Sequence, residues 1–148
     1  MNDPQTSSNP LGVARIIWGA MLLGEIIFLI VIVKVMWPQQ TGRAPVIGPS
    51  PLFLFYIALA MLLVLTPVAF FMRMMIFQRG RDERNLIRPQ AFVTGTILFL
   101  ALLEGAAFFG LVNLMLSRAI WPHAIVPGVA MILQALSFPV GSDVATPS

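Results

Sequence analysis

Two glutamates in long apolar stretches are the residues of this sequence best suited to chemistry. Glu25 is the only charged residue in the run from Ile16 to Val33, and Glu104 is the only one from Ala91 to Ser117. An ionised carboxyl in the bilayer core costs about 2.5–3.5 kcal/mol on insertion scales, so such groups usually face other helices or a water path and handle protons. Both glutamates are therefore candidate proton-binding or ion-binding residues.

The two carboxyls share a depth if the first and third helices begin on the same side of the membrane. Glu25 then lies about 15 Å along the axis from Arg15, and Glu104 lies about 18 Å from Phe92. Hydrocarbon disfavours the charged form of a carboxyl, and repulsion between two close carboxylates keeps at least one of them protonated. This spacing predicts a coupled proton-holding site.

The glutamates have a second interpretation, in which no proton is exchanged during function. Each would be a protonated group that hydrogen-bonds to a neighbouring helix, in a non-catalytic scaffold or assembly protein. Small residues such as Gly24 and Gly105 permit close helix packing in either case, so the two interpretations stay open. The polar partners offered by the apolar segments are Thr66, Asn113 and Gln134.

The composition requires a lipid environment for the elements that carry these residues. Hydrophobic residues make up 58% of the 148 and charged ones 10%, against about 25% charged in a typical soluble domain. The apolar stretches predict an all-α integral membrane four-helix bundle, built from two helical hairpins with both termini cytoplasmic. Similar stretches at 60–67 and 130–139 suggest an internal duplication. The predicted spans are about 12–37, 51–77, 91–117 and 119–139, in one domain over 12–140 flanked by polar tails at 1–11 and 141–148.

Basic residues predict the orientation of the bundle. Arg15, Arg73 and the loop arginines outnumber Lys34, Arg43 and Arg118 on the opposite side, which places both termini in the cytoplasm and the chain in an inner or plasma membrane. The same loop could also bind anionic lipid headgroups or a soluble partner. Its arginines are Arg79, Arg81, Arg84 and Arg88.

Several kinds of chemistry have no support in the sequence. There is no cysteine, and His123, the single histidine, is expected to be an interfacial residue. No phosphate-binding loop or hydrolase motif occurs, so we expect neither an enzyme nor a bound metal or cofactor. The basic residues lie between apolar runs, which argues against nucleic acid as a partner. The expected partners are the lipid bilayer and other copies or subunits, contacted through small-residue helix faces.

The run from Ala101 to Val112, ALLEGAAFFGLV, resembles the second helix of ATP synthase subunit c, the proteolipid whose mid-membrane carboxylate carries a proton or sodium ion. The likeness extends loosely to a hairpin from Pro51 to Ser117, with Arg88 and Pro89 in its polar turn. The resemblance implies that Glu104 carries the ion and that the chain meets rotary ATPase subunits. Unlike the first helix of that family, residues 52–72 contain no glycine, so tight ring packing is not implied.

A further comparison is with the small multidrug resistance transporters. These proteins also have four helices and a membrane-embedded glutamate in the first, a position that Glu25 would match, and the likeness would imply a small-molecule/proton antiporter. Their dimers insert in both directions, whereas the charge bias of this chain favours one orientation. Glu104 also has no counterpart in that family.

Overall fold

The computed structural model describes residues 9–36, 50–140 and 144 and shows an all-helical protein. Three of its helices are long and apolar enough to cross a membrane. Their observed bounds lie within two residues of the predicted ones, except that the predicted end at Trp37 is outside the described residues. The helices are α1 (Pro10–Met36), α2 (Pro51–Arg79), α3 (Pro89–Ser117) and α4 (Ile125–Leu136).

A proline is the first residue of each of the three long helices. Proline has a fixed φ suited to a helix and lacks the N–H that the first turn leaves unpaired. Polar side chains cap two of these starts: Asn9 Oδ1 accepts a hydrogen bond from the N–H of Leu11 at 3.2 Å, and Ser50 Oγ accepts one from Phe53 at 3.2 Å. Local sequence thus sets where these helices begin.

The fourth helix is shorter than the predicted 119–139. A helix continuous from residue 119 would place Pro127 in its interior, where the ring removes a backbone hydrogen bond. By beginning at Ile125, α4 keeps Pro127 within its first turn. Pro139 disfavours helical geometry at the preceding residue, which favours termination before that point. At about 18 Å, α4 alone is too short for a core of about 30 Å, so a fourth full-length helical span is not confirmed.

The central helix of the bundle is α3, which packs against α1, α2 and α4. Half of its membrane-length window is buried, against 11% for α1 and 17% for α2. Among the described residues, α1 and α2 make no contact with each other. The prediction of two helical hairpins is therefore wrong for the first pair, and the suggested internal duplication gains no support. Small residues on several faces of α3 allow three helices to approach it.

Helices α1 and α3 run parallel with a constant register. Ala14 packs in one cluster with Phe92, while further along the pair Ile32 packs with Leu111. Glu25 is 11 residues beyond Ala14 and Glu104 is 12 beyond Phe92, so both fall at nearly the same fraction of the distance between these contacts. The two carboxyl-bearing residues thus lie at the same level of the bundle.

One end of the bundle brings together the start of α1, the α2–α3 connection and the described C-terminal residue. Ile87 pairs with Arg81 in an antiparallel bridge and with Val144 in a parallel one, and both Ile87 and Val144 lie in the cluster that contains Ala14. The described residues after α3 therefore return along the bundle, and α4 is the helical part of those residues. The predicted polar loop is a compact turn at this end.

Candidate functional site

A buried hydrogen bond joins the carboxyl of Glu25 to α4. Both Glu25 and Gln134 have no solvent-exposed surface. Gln134 Nε2 donates to Glu25 Oε1 at 2.7 Å. Because Glu25 is in the middle of α1 and Gln134 is in the last turn of α4, this bond holds the short helix against the long one.

Residues of α1 also hold the backbone around Gln134. Trp18 Nε1 donates to the carbonyl oxygen of Gln134 at 2.7 Å, and Arg15 Nε donates to that of Pro139 at 3.4 Å. The ring of Phe138 meets Trp18 edge-to-face, with centroids 5.0 Å apart. Arg15, Trp18 and Glu25 are spaced so that one face of α1 contacts the end of α4. The position of the Gln134 amide is therefore fixed by several contacts.

Each member of the Glu25–Gln134 pair keeps one buried oxygen without a hydrogen-bond partner among the described residues. These atoms are Glu25 Oε2 and Gln134 Oε1. A carboxylate oxygen and an amide oxygen are both acceptors, so neither can satisfy the other when the carboxyl is ionised. A buried unpaired polar atom costs about 1–3 kcal/mol, and the site is thus short of one donor.

Glu104 lies at the same level of the bundle as Glu25, on the adjoining helix α3. Its side chain is half-buried and forms no hydrogen bond within the described part of the chain. Neighbouring Gly105 is exposed, and a Cβ placed on it would meet no atom within 4 Å. Glu104 is therefore less buried than Glu25 and is next to an exposed position of α3.

Among the described residues, neither of the other proposed partners forms a hydrogen bond with a glutamate. The hydroxyl of Thr66 is buried in α2 with no partner among the described residues, and α2 does not contact α1. Asn113 instead joins α2 to the turn before α4. With its amide oriented to satisfy both ends, its oxygen accepts from His123 Nδ1 at 3.1 Å and from the Phe55 N–H at 3.3 Å, while its nitrogen donates to Pro51 O at 3.3 Å.

His123 is buried, with 4% of its surface exposed, whereas the sequence predicts an interfacial position. The imidazole contacts Asn113, and it meets the ring of Phe55 in a T-shaped arrangement with centroids 5.7 Å apart. These contacts bury it. Burial lowers the pKa of His123 below its ordinary value. The helices packed around it offer no nearby carboxylate: α4 has no charged residue, and the only one in α3 is Glu104, more than two turns before Asn113.

We expect the protein to lose stability as the pH falls below about 6.5, the ordinary pKa of histidine. Below that value His123 binds a proton in the unfolded chain but resists it in the folded protein. The free energy of unfolding therefore falls by up to about 1.4 kcal/mol per pH unit, until the folded histidine also becomes protonated. Thermal unfolding in detergent across this range measures the effect. The His123→Gln variant should lack this component. A slope that is the same in the variant would contradict the assignment.

The loop arginines are all exposed, as expected of residues in water. The loop itself closes through Asp82, whose Oδ1 accepts from the backbone N–H groups of Arg84 at 3.0 Å and Leu86 at 2.9 Å. Asn85 takes a left-handed conformation with φ of 63°. The exposed set consists of Arg79, Arg81, Arg84 and Arg88.

Comparisons with protein-family models, with curated proteins and with solved structures found no match for this chain. The likeness to ATP synthase subunit c therefore rests on the sequence alone and is specific only from Ala101 to Val112. What the chain can do must be inferred from its own geometry. Within the described residues, no group of three or more His, Asp or Glu side chains could hold a metal ion.

Sequence reasoning did not find two features of the site. One is the pair formed by Trp18 and the Gln134 backbone, and the other is the buried cluster of Asn113 and His123. A signal for the first was available, because Trp18 and Glu25 are seven residues apart and therefore share a helix face. No signal pointed to the second, since it depends on the turn that precedes α4.

Proposed function

We propose that the protein is an integral membrane protein that binds and releases a proton at Glu25 and Glu104, as a proteolipid-like component of a larger complex. The observation that carries the proposal is that, among the described residues, no donor reaches the remaining oxygen of Glu25 or of Gln134 in this buried pair. A proton on Glu25 supplies that donor. Glu104, level with Glu25 and closer to the surface, is the group through which the proton would pass.

The surroundings of the pair support a site that holds a single proton. Glu104 lies level with Glu25 on the adjoining helix α3, and α4 contributes no titratable side chain. Among the described residues of α1, α3 and α4, no cation lies at this level to stabilise two carboxylates. The basic residues of α1, Arg15 and Lys34, are ten and nine residues from Glu25, and α3 and α4 contain none. Two ionised carboxyls would repel each other in an apolar interior, which favours a shared proton.

Labelling with a hydrophobic carbodiimide, which reacts with protonated carboxyls in apolar surroundings, tests this function. We expect Glu25 or Glu104 to be modified, with a yield that falls as the pH is raised from about 5 to about 9. The Glu25→Gln and Glu104→Gln variants identify the modified residue by peptide mass. Glu83, exposed in the loop, provides the control as Glu83→Gln, which should leave the labelling unchanged. Labelling of neither glutamate, or a yield independent of pH, would overturn the proposal.

A second candidate function is a membrane scaffold or assembly protein in which the glutamates only join helices. The observation that favours it is the set of contacts from Trp18 and Glu25 to Gln134, which hold α4 in place. Glu104→Gln distinguishes the two functions. A scaffold keeps its complex and its cellular function with the amide, whereas a proton carrier keeps the complex and loses function. Antiport of a small molecule has no observation of this structure in its favour.

The proposed location is an inner or plasma membrane with the basic end of the bundle in the cytoplasm. The start of α1, the arginine loop and Val144 lie together at this end. Their basic residues therefore all favour the same, cytoplasmic side of the membrane. Exposed small residues on α1 and α3, such as Gly24 and Gly105, are where another copy or another subunit would pack. Rotary ATPase subunits are the partners that the sequence resemblance suggests.

A further inference from the structure

An open groove lies at the basic end of the bundle, where α2 meets the arginine loop. Its volume is about 410 Å³. Apolar side chains form one part of the lining, and arginine and glutamine side chains form the other. The lining residues are Phe70, Arg73, Met74, Phe77, Gln78 and Arg81. A groove that combines apolar walls with cations fits a ligand that has both an apolar part and an anionic part.

Arg73 is held in this groove by aromatic rings. Its guanidinium carbon lies 5.2 Å from the ring centroid of Phe77 and 5.2 Å from that of Phe99. The side chain is half-buried and has no ion pair or hydrogen bond among the described residues. Stacking on aromatic faces occupies the plane of a guanidinium and leaves the N–H groups at its edge free to donate.

Arg81 supplies a second cation to the same groove. Its Nη1 donates to Asn85 Oδ1 at 2.8 Å, which orients the side chain and leaves its other N–H groups uncommitted within the described residues. The nearest carboxylate in sequence, Asp82, is engaged by the backbone of the loop. The groove thus presents two guanidinium groups that lack an internal counter-ion among the residues described.

We propose that this groove binds the phosphate headgroup of an anionic phospholipid. Arginine donors match phosphate oxygens in bidentate geometry. Free phosphate would use only the cations, whereas a lipid also uses the exposed apolar surface of α2 beside them, including Phe71 and Met74, which are 59% and 51% exposed. Arg73 is about 9 Å along the helix from Arg79, so it lies closer to the apolar length of α2 than the exposed loop arginines do.

The inference depends on the proposed membrane location but not on the proton site. The groove and the Glu25–Gln134 pair share no residue, so carbodiimide labelling of the glutamates should be the same in the groove variants. Loss of labelling with normal lipid binding would overturn only the proton function. Loss of lipid specificity with normal labelling would overturn only the present inference.

Native mass spectrometry of the full-length protein tests the lipid site. Protein is released from micelles containing phosphatidylglycerol or phosphatidylcholine in equal amounts, and the bound lipid is counted. We expect the native protein to retain phosphatidylglycerol in preference to phosphatidylcholine. Either Arg73→Gln or Arg81→Gln should lower the retention of phosphatidylglycerol about tenfold, because each removes a charge-assisted hydrogen bond. Arg84→Gln, which makes the same charge change outside the groove, should retain the lipid as the native chain does.

Three outcomes would overturn the proposal. The first is equal retention of the two lipids, and the second is an equal loss in Arg84→Gln, which would indicate unspecific attraction to the loop. The third is displacement of the lipid by excess inorganic phosphate as effectively as by phosphatidylglycerol, which would indicate a free anion. Because Arg81 is exposed, its variant remains informative even if Arg73→Gln fails to fold, and thermal unfolding of each variant checks this.

Discussion

Replacing Gly110 with leucine is expected to lower the free energy of unfolding by about 3 kcal/mol or more and to detach α4 from α3. A Cβ on Gly110 would lie 2.7 Å from Pro127 Cδ and 3.0 Å from Pro127 N. The obstructing atoms belong to a proline ring and the helix backbone, which cannot rotate away. Gly110→Ala should cost about 1–3 kcal/mol by the same clash. Denaturant-induced unfolding in mixed micelles, followed by circular dichroism, measures both.

Gly105 provides the matched control for this prediction. It is on the same helix and is exposed, and a Cβ placed there would have no heavy atom within 4 Å. Gly105→Leu should therefore not destabilise the monomeric protein in detergent, because no atom obstructs the new side chain and leucine is the better helix former. Because α4 carries Gln134, detaching it also removes the hydrogen bond to Glu25. Equal stability of the two leucine variants would show that α3 and α4 do not approach closely at Gly110.

Replacing Gln134 with leucine is expected to destabilise the protein by about 1–2 kcal/mol, near the upper limit for hydrogen bonds between membrane helices. The substitution keeps the size of the side chain but leaves Glu25 Oε1 without its donor. Glu25→Leu alone should also destabilise, since it leaves the buried amide unpaired. The double variant should recover much of the loss, because replacing both partners with apolar groups removes the unpaired atoms.

A double-mutant cycle of these variants, measured by unfolding in mixed micelles, gives the coupling between Glu25 and Gln134. Gln90→Leu serves as the control, since Gln90 is exposed at the start of α3 and the same substitution there should change stability by less than about 0.5 kcal/mol. Additive effects of the two single substitutions would mean that the hydrogen bond contributes nothing to holding α4.

The long helices could be predicted from the sequence because apolar length and proline position determine them almost locally. Pro51 and Pro89 begin α2 and α3, and the runs that follow are too apolar to be anything but membrane-length helices. The same rule failed for α4, where apolar composition extends beyond the helix at both ends. Pro127 favours a helix that begins close to it, and Pro139 favours an end before it. A prediction from apolar composition alone does not include these two effects.

The common level of Glu25 and Glu104 could also be predicted, since it follows from counting residues along two parallel helices. The partner of Glu25 could not be chosen in advance. Thr66, Asn113 and Gln134 were all available from the sequence. Within the described residues α1 contacts α4 but not α2, which excludes Thr66, and Asn113 lies more than two turns beyond Glu104 on α3. Such contacts arise from packing around α3, which has small residues facing more than one neighbouring helix. Small residues spread over several faces give no periodic pattern in the sequence from which the contacts could be predicted.

The central claim is that Glu25 is protonated at neutral pH, in a site that it shares with Gln134 and Glu104. Infrared spectroscopy of the protein in lipid is its most direct test. We predict a carbonyl stretching band of a protonated carboxyl at about pH 7, weakened in Glu25→Gln and retained in Glu83→Gln. A spectrum of the native protein with carboxylate bands alone, or a protonated band that is unchanged in Glu25→Gln, would contradict it.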